Sequence, residues 1–456
     1  MIEETDVVVI GMGPGGEDVA GRLAEAGLNV VGIERELVGG ECPYWGCVPS
    51  KMMIRAANLL TEARRIPGMA GTSAVTADWR PVADRIRAEA TDNWDDKVAV
   101  DRFEAKGGRF VRGSGTLTGH GTVAVGERLF RAARGIVLAT GTSAAIPPIP
   151  GLADVPYWAN RNAIETTELP ESLIVLGGGA IGVELAQVFA RFGVAVTVIE
   201  ALERLLPLEE PEAGQLLART LTEDGIHVHT AARAARVSHD GTNFTVTLDN
   251  GREMTAQRLL VATGRRADLT CLALDTVGID DTQRWLPVDD RLRVVPGVWA
   301  VGDLTGVGAF THVAMYQAGI AAADILNQNP APADYRALPR VTFTDPEIGS
   351  TGLSEAAARS QGLNIRVGSS QIPQSARGWI HKTGNDGFIK LIEDADRGIL
   401  IGATAAGPAG GEVLGLLTLA VHAEIPTATL AGMIYAYPTF HRAVEDAVRN
   451  LASTTT

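Results

Sequence analysis

The hydrophobic pattern of the chain opens on a short apolar run, Val7-Val-Val-Ile10, closed by Gly11-Met-Gly-Pro-Gly-Gly16. A continuous run of this length bounded by glycine reads as a buried strand. A helical stretch then extends to Ala26, Gly27 stops it, and a second strand from Val30 to Ile33 ends in Glu34. The same order of elements returns at Leu173-Ile-Val-Leu176, Gly177-Gly-Gly-Ala-Ile-Gly182, a helix to Phe192, Gly193, and a strand ending at Glu200. Shifting the first unit by 166 positions lays Gly11, Gly13, Gly16, Gly27 and Glu34 on Gly177, Gly179, Gly182, Gly193 and Glu200. One Gly-x-Gly-x-x-Gly is weak evidence, because glycine turns are common. Two copies in a strand–turn–helix–strand context, each with an acid closing the second strand, predict two Rossmann-like dinucleotide-binding units. The first glycine makes the tight turn, the second admits a pyrophosphate to the backbone, and the third lets helix and strand pack closely. The helix N-terminus then faces the phosphates, and the terminal carboxylate accepts from a ribose hydroxyl.

Two further echoes support a duplicated plan. Gly135-Ile-Val-Leu-Ala-Thr-Gly141 and Arg258-Leu-Leu-Val-Ala-Thr-Gly264 are apolar strands closing on Ala-Thr-Gly, and Ile146-Pro-Pro-Ile-Pro-Gly151 reads as a linker between the units. Residues 60–110 predict helices with a solvated, mixed-charge face. Val298-Trp-Ala-Val-Gly-Asp303 is a short strand ending in Gly-Asp, where an aspartate suits either a turn or a sugar-alcohol hydroxyl. From about Leu338, strand-like runs (Arg340 to Thr344, Gly387 to Glu393, Ile399 to Ala405) accompany amphipathic helices (Gly411 to Glu424, Thr439 to Leu451), an α+β pattern without a glycine turn. The fold class expected is α/β: two dinucleotide-binding domains plus a C-terminal α+β domain. Its boundaries are 1–150 with 270–337, 151–269, and 338–456.

Composition narrows the class. The 456 residues are 46 % hydrophobic and 21 % charged, as in ordinary globular proteins. A net charge of −14 argues against nucleic acid, and no apolar run is long enough to span a bilayer, so no membrane partner is expected. Three cysteines without a signal sequence point to a reducing cytoplasm, where a Cys pair is more often catalytic than structural.

The candidate chemistry lies in Gly39-Gly-Glu-Cys42-Pro-Tyr-Trp-Gly-Cys47-Val-Pro-Ser-Lys51. Pro49 suits a first helical turn, so Cys47 stands at a helix start and Lys51 one turn on, on the same face. A helix N-terminus and a nearby ammonium both favour a thiolate, against a free cysteine pKa of about 8.5. The stretch reads as one reactive thiol with a second close enough to pair with it. A structural disulfide or a zinc site are the competing readings. Only Cys271 remains to help ligate a metal, and no His-rich cluster accompanies it. No metal is expected.

Taken together, these motifs resemble the flavin-dependent pyridine nucleotide–disulfide oxidoreductases, the group of dihydrolipoyl dehydrogenase, glutathione reductase and mercuric reductase. The resemblance covers essentially the whole chain, through both glycine turns, Gly39 to Lys51, Ala139-Thr-Gly141, Glu184, Ala262-Thr-Gly-Arg265, Val301-Gly-Asp303 and Phe343-Thr-Asp-Pro-Glu347. It implies FAD on the first turn (Gly11, Gly13, Pro14, Gly15, Gly16), with Glu34 and Arg35 at its ribose end. Gly40, Glu41, Thr140, Gly141, Gly302, Asp303 and Ala314 would border the same cofactor. It implies NAD(P)H on Gly177, Gly179, Ile181 and Gly182, with Glu200 on the ribose and Gly264 nearby. By the same resemblance Cys42 is the interchange thiol that attacks substrate, and Cys47 is the thiolate against the flavin. Lys51 approaches the flavin and pairs with Glu184 beside the nicotinamide. The last domain would form a homodimer interface, with each active site completed by the partner chain.

The chain departs from this family near its end. Disulfide reductases of this group place a His-Pro there, with a carboxylate five residues after the histidine. Here Tyr437 holds the histidine's place and Arg442 the carboxylate's, in Tyr435-Ala-Tyr-Pro-Thr-Phe-His441-Arg442. A phenol with a reference pKa near 10 is a poor general base, though it donates hydrogen bonds. His441, read as about one helical turn further on, is either the replacement acid–base or an interface histidine. Mercuric reductases also carry tyrosine here, but they end in a paired-cysteine tail that this chain lacks. A carboxylase branch of the family also gives up the histidine, for phenylalanine. Pro43-Tyr44-Trp45 places two aromatic rings between the cysteines, either packed or offered as a stacking surface. At the nicotinamide end, Glu200 suits the free 2′-hydroxyl of NADH, and Arg204 stands without the paired arginine that would favour NADPH.

The sequence therefore predicts an enzyme passing electrons from NAD(P)H, with NADH preferred, through FAD and a Cys42–Cys47 disulfide to a small-molecule disulfide. The alternatives are reduction of quinones, metals or other electrophiles, and a flavoprotein redox sensor with little turnover.

Overall fold

The computed structural model describes residues 2–451. The chain divides into two compact units. One comprises residues up to Ser50, Pro81–Ala145 and Gly264–Asp334. The other comprises Lys51–Arg80, Ile146–Thr263 and the chain from Tyr335 on.

The first unit is built on an eight-stranded sheet. Strand Ile2–Ile10 lies at its centre, parallel to Val30–Glu34 on one side and to Arg128–Leu138 on the other. Val298–Ala300 extends the parallel set beyond Arg128–Leu138, and Arg109–Arg112 extends it beyond Val30–Glu34. Successive side chains of a strand point to opposite faces. Val7 and Val9 accordingly enter a core with Val19, Leu23 and Ile320, which come from helices Pro14–Glu25 and Thr311–Ile325. Val8 and Ile10 enter a second core with Ile33, Phe130 and Ile136. Burial on both faces explains why the strands read as unbroken apolar runs rather than alternating ones.

The second unit contains a four-stranded parallel sheet in the order His227–His229, Ala195–Ile199, Ser172–Leu176, Arg258–Val261. A three-stranded antiparallel sheet follows from Ala234–His239, Phe244–Leu248 and Glu253–Ala256. Its C-terminal part is a five-stranded antiparallel sheet, in which Arg340–Thr342, Glu347–Gly352, Ile399–Gly407, Phe388–Asp394 and Ile365–Gln371 are neighbours in that order. Helices Gly410–His422 and Ala443–Leu451 close its core through Leu417, Val421, Val444 and Leu451. Strand Arg340–Thr342 stops two residues short of the expected Thr344. Its next N–H, that of Phe343, is taken by the Glu184 carboxylate at 2.8 Å, and Asp345 N–H by the Gln187 side chain at 2.8 Å.

One buried cation ties the second unit together. Lys390, on the strand Phe388–Asp394, contacts Glu210, Glu212 and Glu355 at 2.8, 2.8 and 2.9 Å. Those three carboxylates converge closely enough to hold a metal ion, and the ammonium already occupies the point where they meet. Among the described residues no helix is long and apolar enough to cross a membrane.

Candidate active site

The two glycine turns solve the same steric problem in the same way. Gly11 adopts φ +92°, and a Cβ there would lie 2.4 Å from the carbonyl oxygen of Ala139. A Cβ on Gly16 would lie 1.9 Å from the carbonyl oxygen of Gly11. In the second unit Gly177 (φ +109°) meets the carbonyl oxygen of Ala262 at 2.3 Å, and Gly182 that of Gly177 at 2.1 Å. These four glycines serve the protein, because any side chain would drive backbone from backbone. Gly13 and Gly179 differ. Each is the residue just before its helix, and a Cβ at either would touch no protein atom. The fold does not require glycine there. Close approach of a ligand to the helix N-terminus does, as the dinucleotide reading demands. Around the first turn, a Cβ on Gly40 would lie 2.9 Å from Gly13 Cα, and one on Gly15 would lie 3.1 Å from the Ala314 Cβ. These residues therefore crowd about a single helix start.

The two strand-end acids have a second task. Glu34 accepts from Met12 N–H and Glu36 N–H, both at 2.8 Å. Glu200 accepts from Gly178 N–H at 2.6 Å and Leu202 N–H at 2.7 Å. Met12 and Gly178 are the second residues of their turns. Each carboxylate thus ties the glycine turn to its own loop, and its remaining lone pairs are available to a sugar. Arg204 folds onto its own loop, donating to the carbonyls of Pro207 and Glu209 at 2.8 and 3.2 Å.

Asp303 joins a polar group that the sequence reading only half identifies. Burial pushes its carboxyl above the ordinary aspartate range, against the opposing pull of Thr142 and Arg265. The Thr142 hydroxyl donates to it at 2.8 Å and accepts from Arg265 Nε at 2.7 Å. Arg265 lies 3.8 Å from Asp303 and 3.9 Å from Glu41. It is thus the cation that balances these two acids. Gly302, at φ +87°, donates its N–H to the buried Gln317 side chain at 2.7 Å. Thr142 follows Ala-Thr-Gly141 directly and Arg265 follows Ala-Thr-Gly264, so the motif ends themselves are the signal for both.

The thiols lie at helix starts. Glu41–Tyr44 is a short helix carrying Cys42, and Cys47 opens helix Cys47–Arg64, as Pro49 foretells. Both are free thiols in this structure. The hydrogen bond with Cys47, and then burial, pushes the Cys42 thiol far above its ordinary pKa. The Thr311 hydroxyl pulls the other way, because it also bonds the Cys42 thiol. The Thr311 hydroxyl lies 3.4 Å from the Cys47 sulfur and is the first residue of helix Thr311–Ile325. Cys47 thus stands at two helix N-termini, which both favour its anion. Thr311 escapes sequence reading because 264 residues separate it from its partner. Tyr44 and Trp45 are buried against each other, their ring centroids 5.7 Å apart, so the aromatic pair is packing and offers no stacking surface. Cys271 is exposed and bonds the carbonyl of Asp268 at 3.3 Å.

Lys51, one turn along the helix from Cys47, pairs with Glu184 at 2.8 Å. Its ammonium lies 4.7 Å from the centre of the Phe343 ring. Tyr437 is largely exposed, with the Arg442 guanidinium 5.4 Å from its ring centre, and Arg442 pairs with Glu445 at 3.2 Å. The helix expected from Thr439 begins at Ala443, after a single tight turn at Phe440–Arg442. His441 is therefore not one α-helical turn from Tyr437, because Pro438 holds Tyr437 in extended backbone. The His441 ring lies against Tyr435, with centroids 6.0 Å apart. Ile181 lies in the first turn of helix Ala180–Arg191, Arg35 directly after strand Val30–Glu34, Thr140 after strand Arg128–Leu138 and Gly264 after strand Arg258–Val261.

Comparison with known proteins gives the family of the chain. The profile described as pyridine nucleotide-disulphide oxidoreductase matches residues 5–318, and that family's dimerisation domain matches residues 338–448. Dihydrolipoyl dehydrogenase of Haloferax volcanii is 34% identical over 98% of this chain and 96% of its own. Mercuric reductase of Acidithiobacillus ferrooxidans is 32% identical over 96% of this chain and 81% of its own. The crystal structure of LpdA from Mycobacterium tuberculosis superposes with a TM-score of 0.87 at 26% identity, covering 98% of this chain and 99% of that one.

The contrast between the glycines gives a direct test. Gly13→Ala is expected to unfold at the wild-type temperature but to lose FAD affinity by an order of magnitude or more. Gly16→Ala is expected to lower the unfolding temperature in the presence and absence of flavin. Flavin retention on gel filtration and thermal unfolding of both variants check this, and a Gly13→Ala protein that keeps FAD normally contradicts it.

Proposed function

The chain belongs to the pyridine nucleotide-disulphide oxidoreductase family, and on that premise we propose that Cys42 and Cys47 are the dithiol through which it reduces a small-molecule disulfide. It is an FAD-dependent NAD(P)H disulfide oxidoreductase, and its C-terminal region is the family's dimerisation domain, which makes the protein a homodimer. The observation that carries the residue assignment is the geometry of the thiols: Cys42 and Cys47 are hydrogen-bonded neighbours, and the exposed Cys47 opens its own helix with Thr311, the first residue of another, 3.4 Å from its sulfur.

In this reading FAD rests on Gly11–Gly16 with Glu34 at its ribose and Asp303 along its chain, and NAD(P)H on Gly177–Gly182 with Glu200. Bound FAD supplies the electron relay between nicotinamide and thiols. The protein's own groups do the rest. Cys42, giving its proton to the acid–base group proposed at the interface, attacks one sulfur of the substrate disulfide, forming a mixed disulfide and releasing one thiolate. The Cys47 thiolate then attacks the Cys42 sulfur, releasing the second substrate thiolate and leaving the Cys42–Cys47 disulfide. Each departing thiolate takes up one proton, and Tyr437 and His441 are the groups proposed to deliver it at the dimer interface. Lys51 and Glu184, paired at 2.8 Å, are read as the groups that serve the nicotinamide. Residues 1–150 with 270–337, 151–269 and 338–456 are read as the FAD, NAD(P) and dimerisation domains.

A second reading is favoured by one observation. Tyr437 bears a cation over its ring where the family's disulfide reductases place an imidazole. An acceptor that needs no proton at its leaving group, such as a thiophilic metal ion held by the two sulfurs, would suit that exchange.

NADH is proposed as the preferred donor. Glu200 repels a 2′-phosphate, and Arg204 is engaged by its own loop.

Two measurements follow. Cys42→Ser is expected to abolish NADH-dependent reduction of lipoamide or other small disulfides while NADH-dependent quinone reduction survives; disulfide reduction that persists removes the dithiol from the reaction. The ratio of kcat/KM is expected to favour NADH over NADPH by an order of magnitude or more, and equal or reversed values overturn the Glu200 assignment.

A further inference from the structure

Helix Ala180–Arg191 carries Glu184, Gln187 and Arg191, three and seven residues along from the first, on one face. All three are buried. Helix Cys47–Arg64 and the residue after it carry Lys51, Asn58 and Arg65 at intervals of seven, again on one face. The two stripes meet in register. Lys51 pairs with Glu184, and Asn58 accepts from Arg191 at 2.6 Å. Arg65 and Arg191 donate to the same oxygen of Asp345, at 2.8 and 2.9 Å.

What these stripes hold is the segment Phe343–Asp345. The Gln187 side chain grips the backbone of Asp345 at both ends, accepting its N–H at 2.8 Å and donating to its carbonyl at 2.9 Å. Gln187 is itself oriented by Asp224, which accepts from its amide at 2.9 Å and from Arg191 at 3.0 Å. Two residues before Asp345, Phe343 supplies both contacts that orient the ion pair. Its N–H donates to the Glu184 oxygen that Lys51 does not use, and its ring lies 4.7 Å from the Lys51 ammonium. A carboxylate with both oxygens engaged has one orientation, whereas a carboxylate with one free oxygen has several.

We propose that Gln187 is a positioning residue for the Lys51–Glu184 pair: by clamping Asp345 on both sides it fixes Phe343, which in turn sets the carboxylate and the ammonium. Arg191 and Arg65 anchor the same segment through the Asp345 carboxylate. The inference rests on the reading above that Lys51 and Glu184 serve the reduction of bound flavin. The influence of Gln187 argued here passes through the backbone from Asp345 to Phe343.

Gln187→Met keeps the volume and removes both hydrogen bonds to Asp345. In FAD-loaded protein, the rate constant for flavin reduction by NADH, followed by stopped flow, is expected to fall about tenfold or more. The exchange of reduced Cys42 and Cys47 with a small disulfide is expected to stay at the wild-type rate. A second readout does not depend on turnover. Acylation of Lys51, followed by peptide mass spectrometry and referred to the exposed Lys97, is expected to rise severalfold as Glu184 loosens its hold. Gln187→Met in a Glu184→Gln background is expected to add nothing, because the two act on one interaction. Should Gln187→Met fail to accumulate as folded protein, Gln187→Ala, which also removes both bonds to the Asp345 backbone, takes its place with the same expected pattern. Wild-type flavin reduction and unchanged Lys51 acylation in the variant overturn the proposal. Wild-type flavin reduction in Glu184→Gln alone overturns instead the reading on which it rests.

Discussion

A helix can present its free N–H groups to a phosphate only if it starts almost on top of the strand that feeds it, and no side chain fits in that space. The chain meets this constraint twice. Gly16 and Gly182 each stand where a Cβ would lie about 2 Å from the carbonyl oxygen of the turn's first glycine. That first glycine must itself be glycine, at φ +92° and +109°, because the next parallel strand's end passes close behind it. Val7–Ile10 and Leu173–Leu176 are buried so that these turns emerge at their carboxyl ends, and Glu34 and Glu200 then pin each turn by its second N–H. The close approach dictates the apolar runs, the glycine spacing and the acids together, which is why all three recur at one fixed offset.

That shared cause also explains what is legible in the sequence. A constraint that acts within about 25 residues leaves its whole signature in one stretch, so the turns, the helices behind them and the strand-end acids are all readable. The thiol pair is readable for the same reason, since Pro49, Cys47 and Lys51 lie within one helical turn or two. Contacts across the fold leave no local signature. Thr311 stands 264 residues from Cys47, and Thr142 stands 161 from Asp303. Gln187 reads as an ordinary helix residue until Asp345 is seen beside it. The sequence reading assigns Glu34 and Glu200 to sugars alone and misses their backbone bonds, because a carboxylate's spare lone pairs are not a matter of spacing. At the C-terminus, apolar periodicity carries the helix back to Thr439. Pro438 and the extended Thr439 delay it to Ala443, and the relation of His441 to Tyr437 changes with it.

The thiols and the ion pair share a design in which electrostatic asymmetry is set by backbone rather than by a cluster of charges. Cys47 stands at the start of its own helix with the first hydroxyl of another against its sulfur, while the half-buried Cys42 thiol is pushed up by its neighbour and by burial. Glu184 receives one ammonium and one backbone N–H, and the N–H comes from a strand that ends early in order to supply it. Such dipoles keep their orientation while charge moves, so little reorganisation accompanies electron transfer. The departure at Tyr437 and Arg442 falls outside this framework. In the proposed mechanism it bears on how protons reach a leaving group and not on the route of the electrons.

The central claim is that electrons from NADH reach the Cys42–Cys47 pair and that negative charge then resides on Cys47. Anaerobic titration of the FAD-loaded protein with NADH tests it most directly. The account predicts a long-wavelength thiolate–flavin absorption band at two-electron reduction, absent from Cys47→Ser. A flavin that bleaches fully at that point without such a band would contradict it.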